Sequence, residues 1–434
     1  MSPATVGIVG IVLLVALFFT RMPVAYVMTL VGFLGFSYII SFKAGLNLLA
    51  RDFYDVFSSY GLTVIPMFVL MGQLAFNAGI GKKLYDCAYA FLGHQRGGLA
   101  TATVAACTAF GTVSGSSPGT AATFAVVGLP EMKRYGYGNR LAGGSVASGG
   151  SIGMLMPPSV VMIVYGILTE QSIGKLFVAG IIPAMLIAAL FVVAIYVYTW
   201  FEPQEGPIGE RVSTRDKIRS LSQLSDTLII FVVVMGGLFV GWFTPGEAGG
   251  VGAFAVLVTC LIRRTLTWNA FVKSCYETVR TSCMILLLVA GAVVFGHFLA
   301  VTRIPFNLAS WIAGLSLPPY AIVFMIILVY LIGGCFIDAL ALIMLTIPVF
   351  YPVISDLGYD PIWFGVIIVL VTQMGVITPP VGINVYVVNG IDKSVPLEDI
   401  FMGAMPFLIA LIVGTAMMVF FPAFVTFLPD LMYF

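Results

Sequence analysis

Long apolar runs, separated by short polar segments, make up most of the chain. A membrane-spanning helix needs about 20 apolar residues, so these runs leave room for on the order of a dozen crossings. Several runs are short or are broken by Gly and Pro. The runs lie near residues 5–20, 23–41, 61–78, 99–113, 117–130, 141–167, 174–200, 225–243, 247–262, 282–300, 305–316, 319–335, 337–354, 361–390 and 403–428.

Two segments between the runs alternate apolar and charged residues with a helical period. Segments 45–56 and 265–280 are therefore each predicted to form an amphipathic helix that lies along the membrane interface. The longest polar stretch, 202–224, is too short to fold alone and is predicted to be a linker.

Composition makes lipid the solvent for much of the chain. Charged residues are 9% of it, whereas a soluble domain carries about 25%. Polar side chains are thus too few to cover a water-exposed surface, and the predicted fold class is an all-α polytopic membrane protein. The formal net charge of +1 argues against a nucleic-acid partner.

The two halves of the chain repeat at an offset of 222 residues. Four prolines of the first half coincide with prolines of the second, where 23 prolines among 434 positions give about 0.6 coincidences by chance. The coincident pairs are Pro23 with Pro245, Pro130 with Pro352, Pro157 with Pro379 and Pro158 with Pro380.

The segments that follow Pro130 in the first half and Pro352 in the second half differ in positive charge. Lys133 and Arg134 follow Pro130, whereas no Lys or Arg occurs between 304 and 392. Positive loops stay cytoplasmic, so these equivalent segments are predicted to lie on opposite sides of the membrane. Such an inverted repeat is typical of secondary transporters, with substrate and ion sites near the midplane. Arg21, after the first run, predicts a periplasmic amino terminus.

Residues 111–120, with the sequence GTVSGSSPGT, separate two half-length apolar runs. Non-helical backbone at membrane depth is tolerated only where protein or a cavity surrounds it, so this segment is predicted to be the tip of a re-entrant hairpin. Hydroxyls and free carbonyls suit a hard cation such as sodium, and Ser114, Ser116 and Ser117 are the candidate ligands. Close helix packing through small residues is the alternative.

The counterpart in the second half is GGCFID, residues 333–338. Asp338 stands alone in an apolar run, where burial of its charge would cost about 2.5–3.5 kcal/mol on insertion scales. Asp338 and Gly333 are therefore candidate sodium ligands at a second hairpin tip. A purely structural cap for backbone N–H groups is the alternative for Asp338.

A proline pair interrupts one further apolar run in each half. Prolines leave upstream carbonyls without helical donors, and such carbonyls would complete an ion shell that faces each hairpin tip, with Ser151 or Thr378 nearby. A simple proline kink is the alternative. The candidate sodium ligands in these segments are Gly150, Gly153, Gly375 and Thr378.

Arg303 lies between apolar runs, just after a segment predicted to be broken. A guanidinium binds a carboxylate bidentately, so Arg303 is a candidate substrate ligand, with an interfacial anchor as the alternative. Ser116, Thr120, Gln373 and Asn384 complete the predicted substrate-binding set.

At these residues the chain resembles the large membrane subunit of tripartite ATP-independent periplasmic (TRAP) transporters, the DctM-like family. The hairpin segment GGCFIDALA has Ala339 where the family pattern leads us to expect proline. The resemblance lies in RMPVAYVM, FGTVSGSSPGTAATFAVVGLPEMKRYGY, ASGGSIGMLMPPSVVMIVYGILTEQSIGKLFVAGIIP, GWFTPGEAGGVGAF and GVITPPVGINVYVV.

The resemblance implies sodium-driven uptake of a small carboxylate, such as a C4-dicarboxylate or a sialic acid, across the bacterial inner membrane. It also implies two partners, a small four-helix membrane subunit and a periplasmic substrate-binding protein. An elevator-type scaffold with arm helices would occupy 1–60 and 225–281, a cytoplasmic linker 201–224, and transport elements 61–200 and 282–434. Hairpins are expected near 99–130 and 319–354, and broken helices near 141–167 and 361–390.

Three other functions compete with this reading. A stand-alone ion-coupled organic-anion transporter of similar fold would need no binding protein. A channel is disfavoured by paired hairpins. A membrane enzyme would need a cluster of catalytic residues, which the sequence does not offer. The six cysteines form no CxxC pair, and the two histidines, His94 and His297, lie far apart in the sequence. No catalytic residue, organic cofactor or metal other than sodium is predicted.

Overall fold

The computed structural model describes residues 2–18, 20, 22–313 and 318–431, and every regular element in that part of the chain is helical. The helices of the first half are α1 (Pro3–Phe18), α2 (Val24–Ile39), α3 (Phe42–Ser58), α4 (Val64–Asn77), α5 (Ile80–Leu92), α6 (Gly98–Ser114), α7 (Ser117–Arg134), α8 (Asn139–Ser151), α9 (Val160–Leu168) and α10 (Ile173–Phe201). Those of the second half are α11 (Thr214–Phe239), α12 (Pro245–Ile262), α13 (Trp268–Thr302), α14 (Ile304–Ala313), α15 (Pro319–Gly334), α16 (Ala339–Asp356), α17 (Pro361–Gly375), α18 (Ile383–Ile391), α19 (Leu397–Phe420) and α20 (Ala423–Asp430).

Seven stretches of helix in the described residues are long and apolar enough to cross a membrane. This agrees with the prediction of an all-α polytopic membrane protein. They are Tyr60–Asn77, Ile173–Phe201, Thr214–Phe239, Pro245–Ile262, Trp268–Thr302, Ala339–Asp356 and Leu397–Phe420. Arg21, on which the orientation of the amino terminus depends, lies outside the described residues.

Each half contains a helical hairpin followed by a broken helix. The first hairpin is α6 and α7 and the second is α15 and α16, while α8–α9 and α17–α18 are the broken helices. α7 begins at Ser117 and α16 at Ala339, which is 222 positions later. The peptide bonds Pro157–Pro158 and Pro379–Pro380, one in each broken helix, are both cis.

Polar side chains cap the helices that begin inside the protein. Ser116 accepts a hydrogen bond of 3.2 Å from the N–H of Gly119 at the start of α7. Asp338 does the same for the N–H of Leu340 at the start of α16, at 3.0 Å. A helix end in an apolar environment has no water to satisfy its free N–H groups, so these caps allow helices to start at hairpin tips.

The arm segments of the two halves differ. Segment 45–56 falls within the separate helix α3, which ends where Ser59 takes an extended backbone conformation before α4 begins. The prediction of a separate helix over 265–280 is wrong, because that segment is the beginning of α13, a single helix of 35 residues. No proline occurs between 268 and 302, so nothing in this stretch removes a helical hydrogen bond.

The helices pack in two groups. α2 and α4 lie against α13, and α12 lies against α4, whereas α8 packs on α6, α7 and α19. A buried carboxylate joins α3 to α13, since Asp52 Oδ2 lies 2.8 Å from Nδ1 of His297. α4 and α13 also contact the hairpin helices α6 and α16 respectively, so a boundary between the two groups runs past both hairpins.

Candidate functional site

A cavity of about 540 Å³ lies where the two groups of helices meet. Residues 114–119 of the first hairpin and Asp338 to Leu340 of the second line it. The opposite wall comes from α4, with Gly72 and Gln73, and from α13. Both hairpin tips therefore reach one space, although they lie more than 200 residues apart in the chain.

Three oxygen atoms cluster at the first tip. Thr120 Oγ1 lies 2.8 Å from the carbonyl oxygen of Ser116 and 3.2 Å from Ser114 Oγ. Ser114 Oγ in turn lies 3.5 Å from the same Ser116 carbonyl oxygen. Ser114 and Ser116 also line the cavity, so this cluster is within reach of a small ion that enters from it.

Glycines make the first tip possible. Gly115 ends α6 at φ +61°, a left-handed conformation that disfavours other residues, and a Cβ there would collide with the carbonyl oxygen of Pro158. Gly153 lies against the oxygen cluster, because a Cβ on it would be 2.5 Å from Thr120 Oγ1 and 2.8 Å from the Ser116 carbonyl oxygen. The first broken helix thus packs directly on the tip, and the role of Gly153 as a sodium ligand stays a prediction.

The second half repeats this backbone contact. The N–H of Val381, just after the second proline pair, donates to the carbonyl oxygen of Cys335 at the second tip, at 3.2 Å. In the first half, the N–H of Val160 lies 3.5 Å from the carbonyl oxygen of Gly115. Gly375 packs so closely on Gly334 that a Cβ on either residue would contact the other's backbone. Each broken helix is thereby attached to the tip of its own hairpin.

The Asp338 carboxylate is more exposed than the sequence led us to expect. Its side chain is exposed, it lines the cavity, and it caps α16. Solvent in the cavity removes much of the burial cost that the apolar run implied. The capping role and a role as an ion ligand are compatible, because a carboxylate has several lone pairs and the cap uses one oxygen, Oδ2.

Ser117 and Asn384 form a link between three elements. Ser117 Oγ donates to Asn384 Oδ1 at 3.0 Å, and Asn384 Nδ2 donates to the carbonyl oxygen of Ala147 at 2.8 Å. Asn384 is fully buried and does not line the cavity. These bonds join α7, α18 and α8, so the second broken helix is attached to the first hairpin.

Gln373 and Thr378 both donate hydrogen bonds within the protein, whereas Oε1 of Gln373 has no partner among the described residues. Gln373 is fully buried and donates from Nε2 to Ser151 Oγ at 2.9 Å, and Thr378 donates to the carbonyl oxygen of Met374 at 2.7 Å. The expectation that Ser151 faces a hairpin tip is not met, because its hydroxyl lies between the two broken helices and donates to the carbonyl oxygen of Ser148.

The remaining predicted residues lie away from the cavity or serve packing. Gly150 packs on α7, since a Cβ there would be 2.6 Å from Cβ of Ala121. The carbonyl of Gly333 accepts the N–H groups of Phe336 and Ile337. Arg303 is exposed, lines no part of the cavity, and follows the unbroken helix α13 instead of a broken segment.

Sequence reasoning missed two charged residues of the cavity wall. Lys273 and Glu277 of α13 both line it. They lie in the segment that was expected to form an interface helix, where charges are commonplace. One signal in the sequence could have revealed them. Lys273, Glu277 and Thr281 are spaced four residues apart, so they share one helix face that continues into the apolar run.

Ion pairs outside the membrane-spanning segments tie the first hairpin to the end of the second broken helix. The ammonium of Lys133 at the end of α7 binds Asp392 and Ser394, in the loop before α19. The hydrogen bond from Lys133 makes the largest contribution that holds the pKa of Asp392 below its usual value, and the hydrogen bond from Ser394 makes a smaller one. Nearby, Arg140 Nε lies 3.3 Å from Asp399 Oδ1.

Comparison with known proteins identifies the family. The family model described as "Tripartite ATP-independent periplasmic transporter, DctM component" matches residues 11–424. The C4-dicarboxylate TRAP transporter large permease protein DctM of Pseudomonas aeruginosa is 36% identical over 383 residues, which are 88% of this chain and 89% of the relative. The sialic acid TRAP transporter large permease protein SiaM of Vibrio cholerae is 33% identical over 96% of both chains.

A solved structure supports the fold. The Alcanivorax borkumensis YdaH transporter superposes with a TM-score of 0.57 at 14% identity, covering 87% of this chain and 88% of that one. This likeness concerns the fold alone. With the family match over nearly the whole chain and the apolar helices, it identifies a multi-pass protein of the inner membrane. The chain belongs to the DctM component family of tripartite ATP-independent periplasmic transporters.

Proposed function

We propose that this chain imports a small carboxylate in symport with sodium, as the large permease subunit of a TRAP transporter. The observation that carries the proposal is the single cavity that reaches both hairpin tips, with an oxygen cluster at the first. Small carboxylates are also the solutes in the names of the two relatives, one for C4-dicarboxylates and one for sialic acid.

The first tip is the primary sodium site in this proposal. Sodium is a hard cation that takes oxygen ligands, and Ser114 Oγ, Thr120 Oγ1 and the Ser116 carbonyl oxygen lie within 3.5 Å of one another. Rotation of the Ser114 and Thr120 hydroxyl groups would let both hydroxyl oxygens face the same ion as the Ser116 carbonyl oxygen. Asp338 supplies the ligand with a full negative charge at the second tip, in the same cavity.

The two halves form an inverted repeat that works as an elevator in this proposal. The hairpins and broken helices are the moving part, and α2, α12 and α13 belong to the scaffold. We assign α4 to the scaffold as well, although the sequence led us to expect it among the transport elements, because it packs on α12 and α13. Support comes from the equal order of elements in both halves, and from the boundary between the two packing groups that passes the cavity.

In this proposal the basic loops of the first half and of the linker lie on the cytoplasmic side. The N–H of Gly138, close to Arg140, donates to the carbonyl oxygen of Glu205 in the linker, and the Lys217 ammonium lies 5.9 Å from the centre of the Phe91 ring. These contacts bring positively charged loops to one end, which the positive-inside rule makes cytoplasmic. An amino terminus in the periplasm completes this topology.

Two partners belong to the proposal, because the family is tripartite. A periplasmic binding protein delivers the solute, and a small four-helix membrane subunit accompanies the scaffold. The test is uptake of succinate or N-acetylneuraminate into proteoliposomes that hold the permease and its small subunit, with the binding protein outside. Uptake should require an inward sodium gradient, and potassium should not replace sodium.

Variants of the first tip test the sodium site. Ser114→Ala with Thr120→Val should raise the sodium concentration for half-maximal uptake about tenfold, which corresponds to about 1.4 kcal/mol of lost ion binding. Thr259→Val is the matched control, because Thr259 donates to the carbonyl oxygen of Ala255 at 2.8 Å on α12, away from the cavity. An unchanged sodium dependence in the tip variant contradicts this site. Full uptake without the binding protein would favour the stand-alone transporter instead.

A further inference from the structure

We propose that Lys273 and Glu277 act as a charge filter, which favours solutes with one carboxylate over solutes with two. In this arrangement Lys273 holds the carboxylate, while Glu277 accepts a hydrogen bond from a hydroxyl, amide or ammonium group of the same solute and repels a second carboxylate. The inference rests on the proposed transport function and adds the substrate class that the permease itself prefers.

The Lys273 and Glu277 side chains lie on the face of α13 that is turned towards the cavity. Lys273, Glu277 and Thr281 follow one another at intervals of four residues, which places them on one face of a helix. All three line the cavity, and Met284 and Ile285 continue the same stripe deeper into it. The face of α13 towards the cavity thus carries a polar end with two opposite charges and an apolar end.

A second observation is the pairing of these charges. Lys273 and Glu277 are one helical turn apart, yet no ion pair joins them, and the cation nearest Glu277 is Arg280, with 3.9 Å between Nη1 and Oε2. The Lys273 side chain is exposed, and no carboxylate among the described residues is bonded to it. A free ammonium that lines the cavity is available to a carboxylate that enters.

A third observation is the sum of charges around the cavity. Lys273 is the one cation among the described residues that line it, and Glu277 and Asp338 are the acids. Neighbouring side chains one turn apart on a helix are separated by about 5–6 Å between Cβ atoms. A solute with two carboxylates that binds Lys273 would therefore bring its second charge next to Glu277, whereas a neutral or cationic group would meet a hydrogen-bond acceptor there.

The experiment compares two probes in one preparation. Uptake of succinate, with two carboxylates, and of N-acetylneuraminate, with one carboxylate and several hydroxyls, is measured in proteoliposomes with a saturating amount of a binding protein for each probe. The ratio of the two initial rates is the readout, because it does not depend on how much permease has folded. Each rate is measured for the wild type, Lys273→Gln, Lys273→Arg and Glu277→Gln.

The filter predicts distinct results for each variant. Glu277→Gln should raise the succinate to N-acetylneuraminate ratio about tenfold, the effect of a differential interaction of about 1.4 kcal/mol. Lys273→Gln should lower both rates about tenfold by raising the KM, and Lys273→Arg should restore them. Lys43→Gln and Glu398→Gln are the matched controls, because both side chains are exposed and neither lines the cavity. An unchanged ratio in Glu277→Gln overturns the filter, while sodium-dependent uptake by the same protein leaves the proposed function standing.

Discussion

Gln373 and Ser151, which lie 222 positions apart, are joined by a hydrogen bond of 2.9 Å from Gln373 Nε2 to Ser151 Oγ. Since 222 is also the offset of the sequence repeat, each residue is the counterpart of the other. Counterparts of a two-fold repeat meet only at its symmetry axis. In the proposed inverted repeat, this bond would mark where the two broken helices cross the pseudo-symmetry axis.

Removal of the Ser151 hydroxyl should destabilise the protein. Ser151→Ala leaves the buried Nε2 of Gln373 without its acceptor, and interhelical hydrogen bonds in membranes contribute about 0.6 kcal/mol on average and up to about 1.7. Ser148→Ala, on the same helix, removes a buried hydroxyl that has no partner among the described residues, and should be neutral or stabilising. Unfolding of the purified protein by denaturant measures both. Equal losses in the two variants would contradict the role given to this bond.

Gly153→Ala should abolish sodium activation of uptake without preventing insertion. The added methyl would lie 2.5 Å from Thr120 Oγ1 and 2.8 Å from the Ser116 carbonyl oxygen, so it must displace two of the three clustered oxygens. The measurement is uptake as a function of sodium concentration. Gly250→Ala is the matched control, because no atom lies within 4 Å of its new Cβ in α12. The control should gain about 0.5–1 kcal/mol of stability, the usual difference between Ala and Gly in a helix. Wild-type sodium dependence in Gly153→Ala would remove the tip from the ion site.

Asn384→Ala should lower stability and leave the apparent KM for solute unchanged. The change removes the buried hydrogen bonds of Asn384 with Ser117 Oγ and with the carbonyl oxygen of Ala147, and loss of a buried partner costs about 1–3 kcal/mol. The midpoint of thermal unfolding, together with the KM of the protein that remains folded, separates this role from solute binding. Asn269→Ala, at an exposed position in the first turn of α13, should change neither quantity. A raised KM at wild-type stability would restore Asn384 to the substrate site.

The Lys133–Asp392 pair should make stability fall on acidification. The pKa of Asp392 is lower in the folded protein than its usual value, so the pair contributes in full above the usual carboxyl range, and its contribution is lost as the pH falls through the lowered pKa. Asp392→Asn should therefore cost about 0.2–1 kcal/mol at pH 7 and progressively less as the pH falls below the usual carboxyl pKa. The measurement is the difference in unfolding midpoint between wild type and variant from pH 7 to pH 3. A constant difference would show that charge plays no part, and Asp356→Asn should give no difference at either pH.

Breaks in the helices could be predicted from the sequence because glycine and proline act locally. Gly115, Pro158 and Pro380 constrain their own backbone, and the structure places the turns at these residues. Ser114, Ser116 and Asp338 all line the cavity, as polar groups in an apolar run need a cavity or a partner, while their role as ion ligands stays a prediction.

The partners of buried side chains could not be read in the same way. Asn384 and Gln373 looked available for a solute, yet both are used by residues more than 200 positions away. Such pairing depends on how the two halves pack, which no local pattern specifies. Lys273 was missed for a related reason, because its function depends on the hairpins that lie opposite it and not on its own helix.

The continuity of α13 has a consequence for its depth in the bilayer. At 1.5 Å per residue, a helix of 35 residues measures about 52 Å, whereas the hydrocarbon layer is about 30 Å thick. A moderate tilt removes only part of this excess, so at least one end stands among the lipid headgroups and their water. Lys273 and Glu277 lie in the first three turns of the helix, where a charged side chain can stay hydrated while the same rod continues into lipid. The length of one unbroken helix thus lets Lys273 and Glu277 stay hydrated at its beginning while its later turns lie in lipid.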